Sequence, residues 1–226
     1  MDIASETYKE LEKRFEHMGQ NQVLVVTAFA LEKMWKPYVE GIQKSGCSKT
    51  EVSEMLQMAE QCMYRIWERI KQGKPFPEDY NNWSKMCDRF NDMFDEDEVE
   101  FCEEALWFDG ELIGSAWVFF NEAKFDVKYC AGTVSRVLEM IIGRIGDVLH
   151  EYYPKLEKQN HTQYESIISN HPAVLNELKR IDMDIKLAER YPNNLEEILN
   201  KGSEYHKLNL WDIQPPEAYG IHVEIN

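Results

Sequence analysis

Apolar side chains recur at helical spacing in one segment after another, and this periodicity constrains the fold more than any other feature of the chain. The clearest segment begins after Ser48 and Glu51, which form a capping-box pattern typical of a helix start. Positions three or four residues apart then stay apolar as far as Ile70, and Gly73 ends the segment. Such a stripe predicts an amphipathic helix with one face against a core. Trp67 lies in the middle of the stripe, so we expect it to be buried.

The same periodicity predicts helices along most of the remaining chain. Pro37 lies inside the second predicted helix, where its missing N–H favours either a kink or the start of a new helix. Pro172 stands at the first turn of a later helix, a position that suits proline. The predicted ranges are about 2–18, 21–44, 83–94, 126–152, 163–169, 172–188 and 195–200.

The segment from Phe101 to Phe120 allows two interpretations. Asp109 and Gly110 could form the turn of a β-hairpin. The apolar residues from Leu112 onward instead fit a helix that Asp109 would cap. We favour the helix, in which Gly110 and Gly114 would share a face and allow another helix to approach closely.

These segments together predict an all-α fold, a single antiparallel multi-helix bundle with short connections. The chain has 226 residues, of which 43% are hydrophobic, enough for one sizeable core. We assign residues 1–190 to the helical bundle domain and residues 191–226 to a C-terminal extension packed on it. Residues Ile221–Ile225 alternate in polarity, so a short strand at the C-terminus stays open.

Cysteine usage and the N-terminal sequence lead us to expect a cytoplasmic protein. The five cysteines are widely spaced and include no CxxC pair, which argues against a disulfide framework or a zinc cage. The first residues lack the basic and apolar regions of a secretory signal. The longest apolar stretch, Val23–Leu31, is far shorter than the roughly 20 residues that span a bilayer.

No arrangement of residues predicts catalysis, a cofactor or a metal site. The nearest approach to a di-metal bundle motif is Asp147-x-x-His150, which occurs once. Asp95-x-Asp97 begins like a calcium loop, but Val99 takes the third ligand position and the required glycine is missing. The six histidines are scattered, with no nucleophile placed beside them. We therefore expect the chain not to be an enzyme.

Negative charge is the one feature that points to a partner. The formal net charge of −16 argues against nucleic acid or an anionic membrane. Between Arg89 and Lys124 the chain carries eleven acidic residues and no basic one. This acidic block is either a solvated face, neutralised in part by bases from other helices, or a docking face for a cationic protein. The residues predicted to bind the partner are Asp92, Asp95, Glu96, Asp97, Glu98, Glu100, Glu103 and Glu104.

Three segments resemble an all-helical family of immunity proteins from bacterial polymorphic toxin systems of the contact-dependent inhibition type. They are Ala28–Tyr38, with a Pro-Tyr pair after an apolar turn, Ile66–Ile70 and His171–Leu178. Their order and spacing also fit over residues Val23–Ala188, whereas the tail from Tyr191 onward lies outside the resemblance. The resemblance implies a cytosolic protein that binds and neutralises a cognate toxin. It implies no catalytic residues.

Three hypotheses for function follow. The first is an immunity protein that occludes the active site of a toxin through an acidic surface. The second is a helical scaffold or adaptor in another cytosolic complex, which would use apolar grooves between helices. The third is an enzyme whose site the sequence does not reveal. The first accounts for both the acidic block and the resemblance.

Overall fold

The chain folds into a bundle of helices, as the periodic apolar stripes predict. A computed structural model describes residues 3–76, 78–94, 103–210 and 212–223, without the side chains of residues 87, 90–94, 103 and 104. These residues form ten α-helices and no strand, so the predicted all-α fold is confirmed. The helices are α1 (Ile3–Phe15), α2 (Gln20–Lys44), α3 (Lys49–Gln72), α4 (Asp79–Phe94), α5 (Glu103–Phe120), α6 (Val127–Tyr152), α7 (Leu156–Gln159), α8 (His161–Asn170), α9 (Pro172–Ala188) and α10 (Leu195–Tyr205). Within the described ranges, none of them combines the length and apolarity that crossing a bilayer requires.

Helix α2 is the centre of the bundle. It packs against α3, α5, α6, α9 and α10, and every residue from Val23 to Trp35 is buried. Pro37 lies inside α2 without ending it, so the predicted range of 21–44 is one helix and the alternative of a new helix at Pro37 is excluded. A proline removes one backbone donor. The loss is confined to one hydrogen bond. Trp35 before Pro37, and Tyr38 and Ile42 after it, remain buried, and their burial favours a helix that continues past the proline.

The start of α3 follows the predicted capping box. The Ser48 N–H donates to the Glu51 carboxylate at 2.6 Å, and the Glu51 N–H donates to the Ser48 hydroxyl at 3.3 Å. Gly73 ends the helix in the left-handed conformation, with φ at 71°. Helix α4 begins at Asp79, earlier than predicted. Its first turn therefore contains an acidic residue that we had placed in a loop.

Helix α5 is continuous through Asp109 and Gly110, so the hairpin interpretation is wrong. Phe108 and Leu112 keep helical spacing across these two residues, and both are buried against the core. Asp109 is not the cap of a helix that starts there, because α5 has already run for a turn and a half before it. Instead its side chain is only 2% exposed.

One of the two glycines predicted at a close helix contact makes such a contact. A Cβ atom added to Gly114 would lie 1.7 Å from the hydroxyl oxygen of Tyr129 on α6. A Cβ atom added to Gly110 would meet nothing within 4 Å, so that half of the prediction is wrong. Gly114 is therefore the position at which α5 approaches α6 closely.

The C-terminal part of the chain contacts the centre of the bundle through aromatic side chains. Tyr205 at the end of α10 packs edge-on against Phe29 of α2, with ring centroids 5.6 Å apart. The next residue, His206, stacks on Trp35 at 4.9 Å. Residues 221–223 are irregular rather than a strand, and residues 224–226 lie outside the described ranges. A short 3-10 helix at Pro216–Tyr219 precedes them.

Trp67 is partly buried rather than fully buried, which corrects our expectation for it. Its indole N–H donates to the Glu32 carboxylate of α2 at 2.5 Å. A Cβ atom added to Gly202 of α10 would lie 2.5 Å from the Trp67 ring, so α10 passes close over it. Trp67 thus joins α3 to α2 and α10 through one polar and one packing contact, with its polar end toward a charged group.

A buried ion cluster joins α2 to α9 and α10. The Lys33 ammonium donates to Glu177 at 2.8 Å and to Asp184 at 2.7 Å, and all three side chains are almost fully buried. The Tyr205 hydroxyl donates to the second Asp184 oxygen at 2.6 Å. Burial alone would lower the pKa of Lys33, but the two carboxylates outweigh it and raise the pKa above its ordinary value. Lys33 is therefore charged at neutral pH.

Candidate protein-binding face

The acidic residues predicted to bind a partner lie where α4 ends and α5 begins. Asp92 is in the last turn of α4, and Glu103 and Glu104 open α5. The side chains of these three residues lie outside the described part of the chain. The other predicted residues, Asp95, Glu96, Asp97, Glu98 and Glu100, lie wholly outside it. Their role in binding stays a prediction.

Two further acids of the block do not contribute to a docking face. Glu111 accepts hydrogen bonds from Arg136 at 3.1 Å and from Thr133 at 2.8 Å. Asp109 is buried beside the Tyr38 hydroxyl, although no hydrogen bond of normal geometry joins the two. Burial raises the pKa of the Asp109 carboxyl well above its ordinary value. Glu122, in contrast, is exposed.

The basic residue that precedes the block is already paired with another helix. Arg89 donates from Nε and Nη2 to the two carboxylate oxygens of Glu54 on α3, at 2.9 and 3.2 Å. This forked geometry is the strongest that a guanidinium makes with a carboxylate. It directs the last positive charge of α4 toward α3.

A groove of about 710 Å³ runs between α3 and α4, on the same helix that leads into the acidic block. Cys62, Trp83 and Phe120 line it and are themselves buried, so its deepest part is apolar. Glu60 and Glu78 line it as well. A concave, mostly apolar surface with a few polar groups is the usual form of a binding site.

Two polar atoms in the groove have no hydrogen-bond partner among the described residues. Asp79 uses one carboxylate oxygen to accept from Arg65 Nη2 at 2.6 Å and Nε at 2.8 Å, and its second oxygen is unpaired. The indole N–H of Trp83, one turn further along α4, is also buried and unpaired. An unsatisfied buried donor or acceptor costs about 1–3 kcal/mol. A partner group that bonds to these atoms would recover that free energy.

Exposed aromatic side chains lie in the groove and on a helix that contributes to it. Tyr64 lines it and is 61% exposed. Trp117 on α5 is 40% exposed and packs edge-on against Tyr80 of α4, with ring centroids 5.5 Å apart. Tyrosine and tryptophan are the residues most enriched among those that dominate protein interfaces. These side chains and the groove are together called the α4 face below; the acidic block follows α4 in sequence.

The sequence patterns missed the groove for a specific reason. We started α4 after Asn82, and this placed Asp79 in a loop rather than on the helix face that carries Trp83. Trp83 itself was assigned to an inner stripe, which its burial supports. An acidic residue one turn before a predicted helix was the signal that could have extended α4 backward.

Comparisons with known proteins give no further indication of what this face binds. Searches against protein-family models, curated proteins and solved structures found no match for the chain. In the described ranges, no three His, Cys, Asp or Glu side chains form a group that could hold a metal ion.

Proposed function

We propose that this chain is an immunity protein of the contact-dependent inhibition type, which binds a cationic toxin in the cytoplasm and blocks its active site. The observation that carries the proposal is the acidic block, eleven acids without a base, which follows directly after the α3–α4 groove. The chain acts by stoichiometric binding and performs no chemistry on the toxin.

The acidic block would make this chain bind a basic partner in preference to a neutral or acidic one. A surface of one charge sign attracts an oppositely charged protein over long range and speeds its association. A toxin that acts on nucleic acid needs a basic cleft for phosphate groups. A rigid acidic surface fits such a cleft by the same charge complementarity.

The groove supplies short-range contacts that charge alone lacks. Tyr64 is exposed at the groove, and the unpaired atoms of Asp79 and Trp83 offer one acceptor and one donor. Aromatic contacts and fully desolvated hydrogen bonds act mainly on the dissociation rate. The acidic block would therefore speed association with the toxin, and the groove would slow its dissociation.

The test expresses the product of the gene directly upstream of this chain's gene as the candidate toxin. Co-expression of the wild-type chain should restore growth to cells that express the toxin. Binding kinetics of the purified pair are then measured with Asp95, Glu96, Asp97 and Glu98 all changed to Lys. We expect association to slow by about tenfold or more at low salt, with dissociation little changed. The difference should shrink in 1 M NaCl, where the screening length falls to about 3 Å.

A matched variant separates local charge from net charge. Glu10 on α1, Glu16 just after it, Glu151 on α6 and Glu157 on α7 are exposed, and changing all four to Lys alters the net charge by the same amount. This control should slow association much less. Equal effects of both variants, or an unchanged association rate for the first, would contradict the role of the acidic block.

A substitution in the groove tests the second hypothesis, a helical adaptor. Tyr64→Ala removes an exposed side chain, so the fold should remain intact. Under the immunity proposal, Tyr64→Ala should speed dissociation from the toxin. Absence of toxin binding by the wild-type chain would reject the proposed function and favour the adaptor hypothesis.

A further inference from the structure

A second pocket, of about 370 Å³, lies at the start of α2 and away from the α3–α4 groove. The first turn of α2, residues Gly19–Gln22, forms one wall. Arg69 and Gly73 at the end of α3 and Tyr191 after α9 form the others, and Glu122 completes the lining. The pocket therefore joins four parts of the chain that are distant in sequence.

Arg69 brings a positive charge to this pocket, and the nearby carboxylate of Glu122 attracts it without forming a direct ion pair. Its side chain is 1% exposed, and its Nε donates to the Phe119 carbonyl at 3.1 Å. Its Nη1 is buried with no hydrogen-bond partner, and no carboxylate in the described ranges forms an ion pair with it within 4.0 Å. A buried guanidinium stays protonated at neutral pH. An unpaired buried charge of this kind is costly unless an anion neutralises it.

The start of α2 adds further donors to the same pocket. The Gln22 and Val23 N–H groups donate to the Gly19 carbonyl at 2.9 and 3.1 Å, so the open amides at this positive end of α2 are those of Gln20 and Asn21. Gly19 at the N-cap has no side chain that could accept from them. The side-chain nitrogen of Gln20 is buried and has no hydrogen-bond partner. Helix starts with open amides are common binding sites for phosphate groups.

Apart from the Glu122 carboxylate, the other polar side chains of the pocket are paired and hold its walls in place. The Tyr191 hydroxyl donates to the Ile70 carbonyl at 2.7 Å. The Asn21 amide donates to the Gly73 carbonyl at 3.1 Å. These contacts fix α2 and the segment after α9 against the end of α3. The groups left for a ligand are thus the Arg69 guanidinium and the Gln20 amide.

We propose that this pocket binds a phosphate group, held by Arg69, by Gln20 and by the open amides of α2. All of these groups donate hydrogen bonds, and the Arg69 guanidinium also carries a full positive charge. An oxyanion requires this combination of donors and charge. Glu122 is an exposed carboxylate in the lining, so it opposes the binding of an anion. This proposal does not depend on the toxin-binding role of the α4 face.

The test is a calorimetric titration of the full-length chain with inorganic phosphate and, separately, with adenosine monophosphate at constant ionic strength. We expect binding that Arg69→Met weakens by about tenfold or more, since it removes a charged donor. Gln20→Leu should weaken binding by a smaller factor. Glu122→Gln should tighten it about two- to fivefold, because it removes a repelling charge. Tighter binding of the nucleotide than of phosphate would identify a phosphate monoester as the ligand, and equal binding would identify the phosphate group alone.

Controls keep the test decisive if Arg69→Met does not fold. Gln20 and Glu122 are not part of the core, so variants at these positions should retain the fold. Lys36→Met on the same helix, outside the pocket, should bind phosphate as the wild type does. Failure of the wild type to bind either probe overturns the proposal. Equal binding by Gln20→Leu, Glu122→Gln and the wild type overturns it as well.

Discussion

Asp109 places a carboxyl group between α5 and α2 with no ion pair to a basic side chain within the described residues. Its neighbours include the Tyr38 hydroxyl, and burial raises the pKa of both groups above their ordinary values. The buried acids Glu177 and Asp184 differ from it, because Lys33 forms ion pairs with both and Arg180 forms a second one with Glu177. Asp109 is therefore the described acid whose ionisation most opposes folding.

Replacement of Asp109 by Asn should stabilise the protein at neutral pH. The folded-state pKa of Asp109 lies above its unfolded value of about 4, so the folded state holds a proton that the unfolded state has lost. The stability that this bound proton gives the folded state is fully present below pH 4 and is lost as the pH rises through the folded-state pKa. We expect the free energy of unfolding of Asp109→Asn to be about 1–3 kcal/mol higher than that of the wild type at pH 7 and equal to it near pH 4. Thermal unfolding followed by circular dichroism between pH 4 and pH 8 measures the difference.

Asp88→Asn is the matched control for this measurement. Asp88 is exposed on α4. Its replacement should shift the unfolding temperature little at any pH. A gain for Asp109→Asn that stays constant from pH 4 to pH 8 would show that ionisation of Asp109 is not its cause.

At the scale of the helices, local sequence rules predicted most of what the structure shows. The capping box at Ser48 and the stop at Gly73 set the bounds of α3, because both depend on neighbouring residues only. The alternatives of a new helix at Pro37 and of a hairpin at Asp109 are excluded, since burial of whole helix faces outweighs a local proline or turn signal. Tertiary packing commonly overrides such propensities.

The two glycines of α5 give a prediction in which the same substitution has opposite effects. Gly114→Ala places a methyl group against the Tyr129 hydroxyl, so the ring or the helix must move. We expect a loss of about 1–3 kcal/mol in the free energy of unfolding. Gly110→Ala meets open space, and alanine favours the helix, so we expect a gain of about 0.5–1 kcal/mol. Urea unfolding of both variants measures these changes, and equal changes in both would refute the close contact of α5 with α6.

The binding sites were less predictable than the helices. A run of like charges is visible in any sequence, which is why the acidic block could be named, but whether it faces a partner depends on tertiary structure. The phosphate pocket brings together Gln20, Arg69, Glu122 and Tyr191. No local pattern links residues so far apart. Only the packing of α2 against the end of α3 makes them neighbours.

At the scale of the whole molecule, the charge balance should govern how stability responds to salt. The formal net charge is −16, and clustered like charges repel one another in the folded state. Added salt screens this repulsion. We expect the unfolding temperature to rise between about 10 mM and 300 mM KCl. The unfolding temperature of the variant with Glu10, Glu16, Glu151 and Glu157 changed to Lys should rise less over the same range. A fall in the wild type would show that attractive ion pairs outweigh the repulsion.

The central position of α2 also affects how the protein is made. About 150 residues separate Lys44 at the end of α2 from Leu195 at the start of α10. At about 5–20 residues per second, a ribosome needs roughly 10–30 s to synthesise that length. During this time the part of α2 that α10 covers has no partner, although α3, α5, α6 and α9 are already synthesised. Ribosome-bound chains of this protein should therefore expose that part of the apolar surface of α2 until translation is nearly complete.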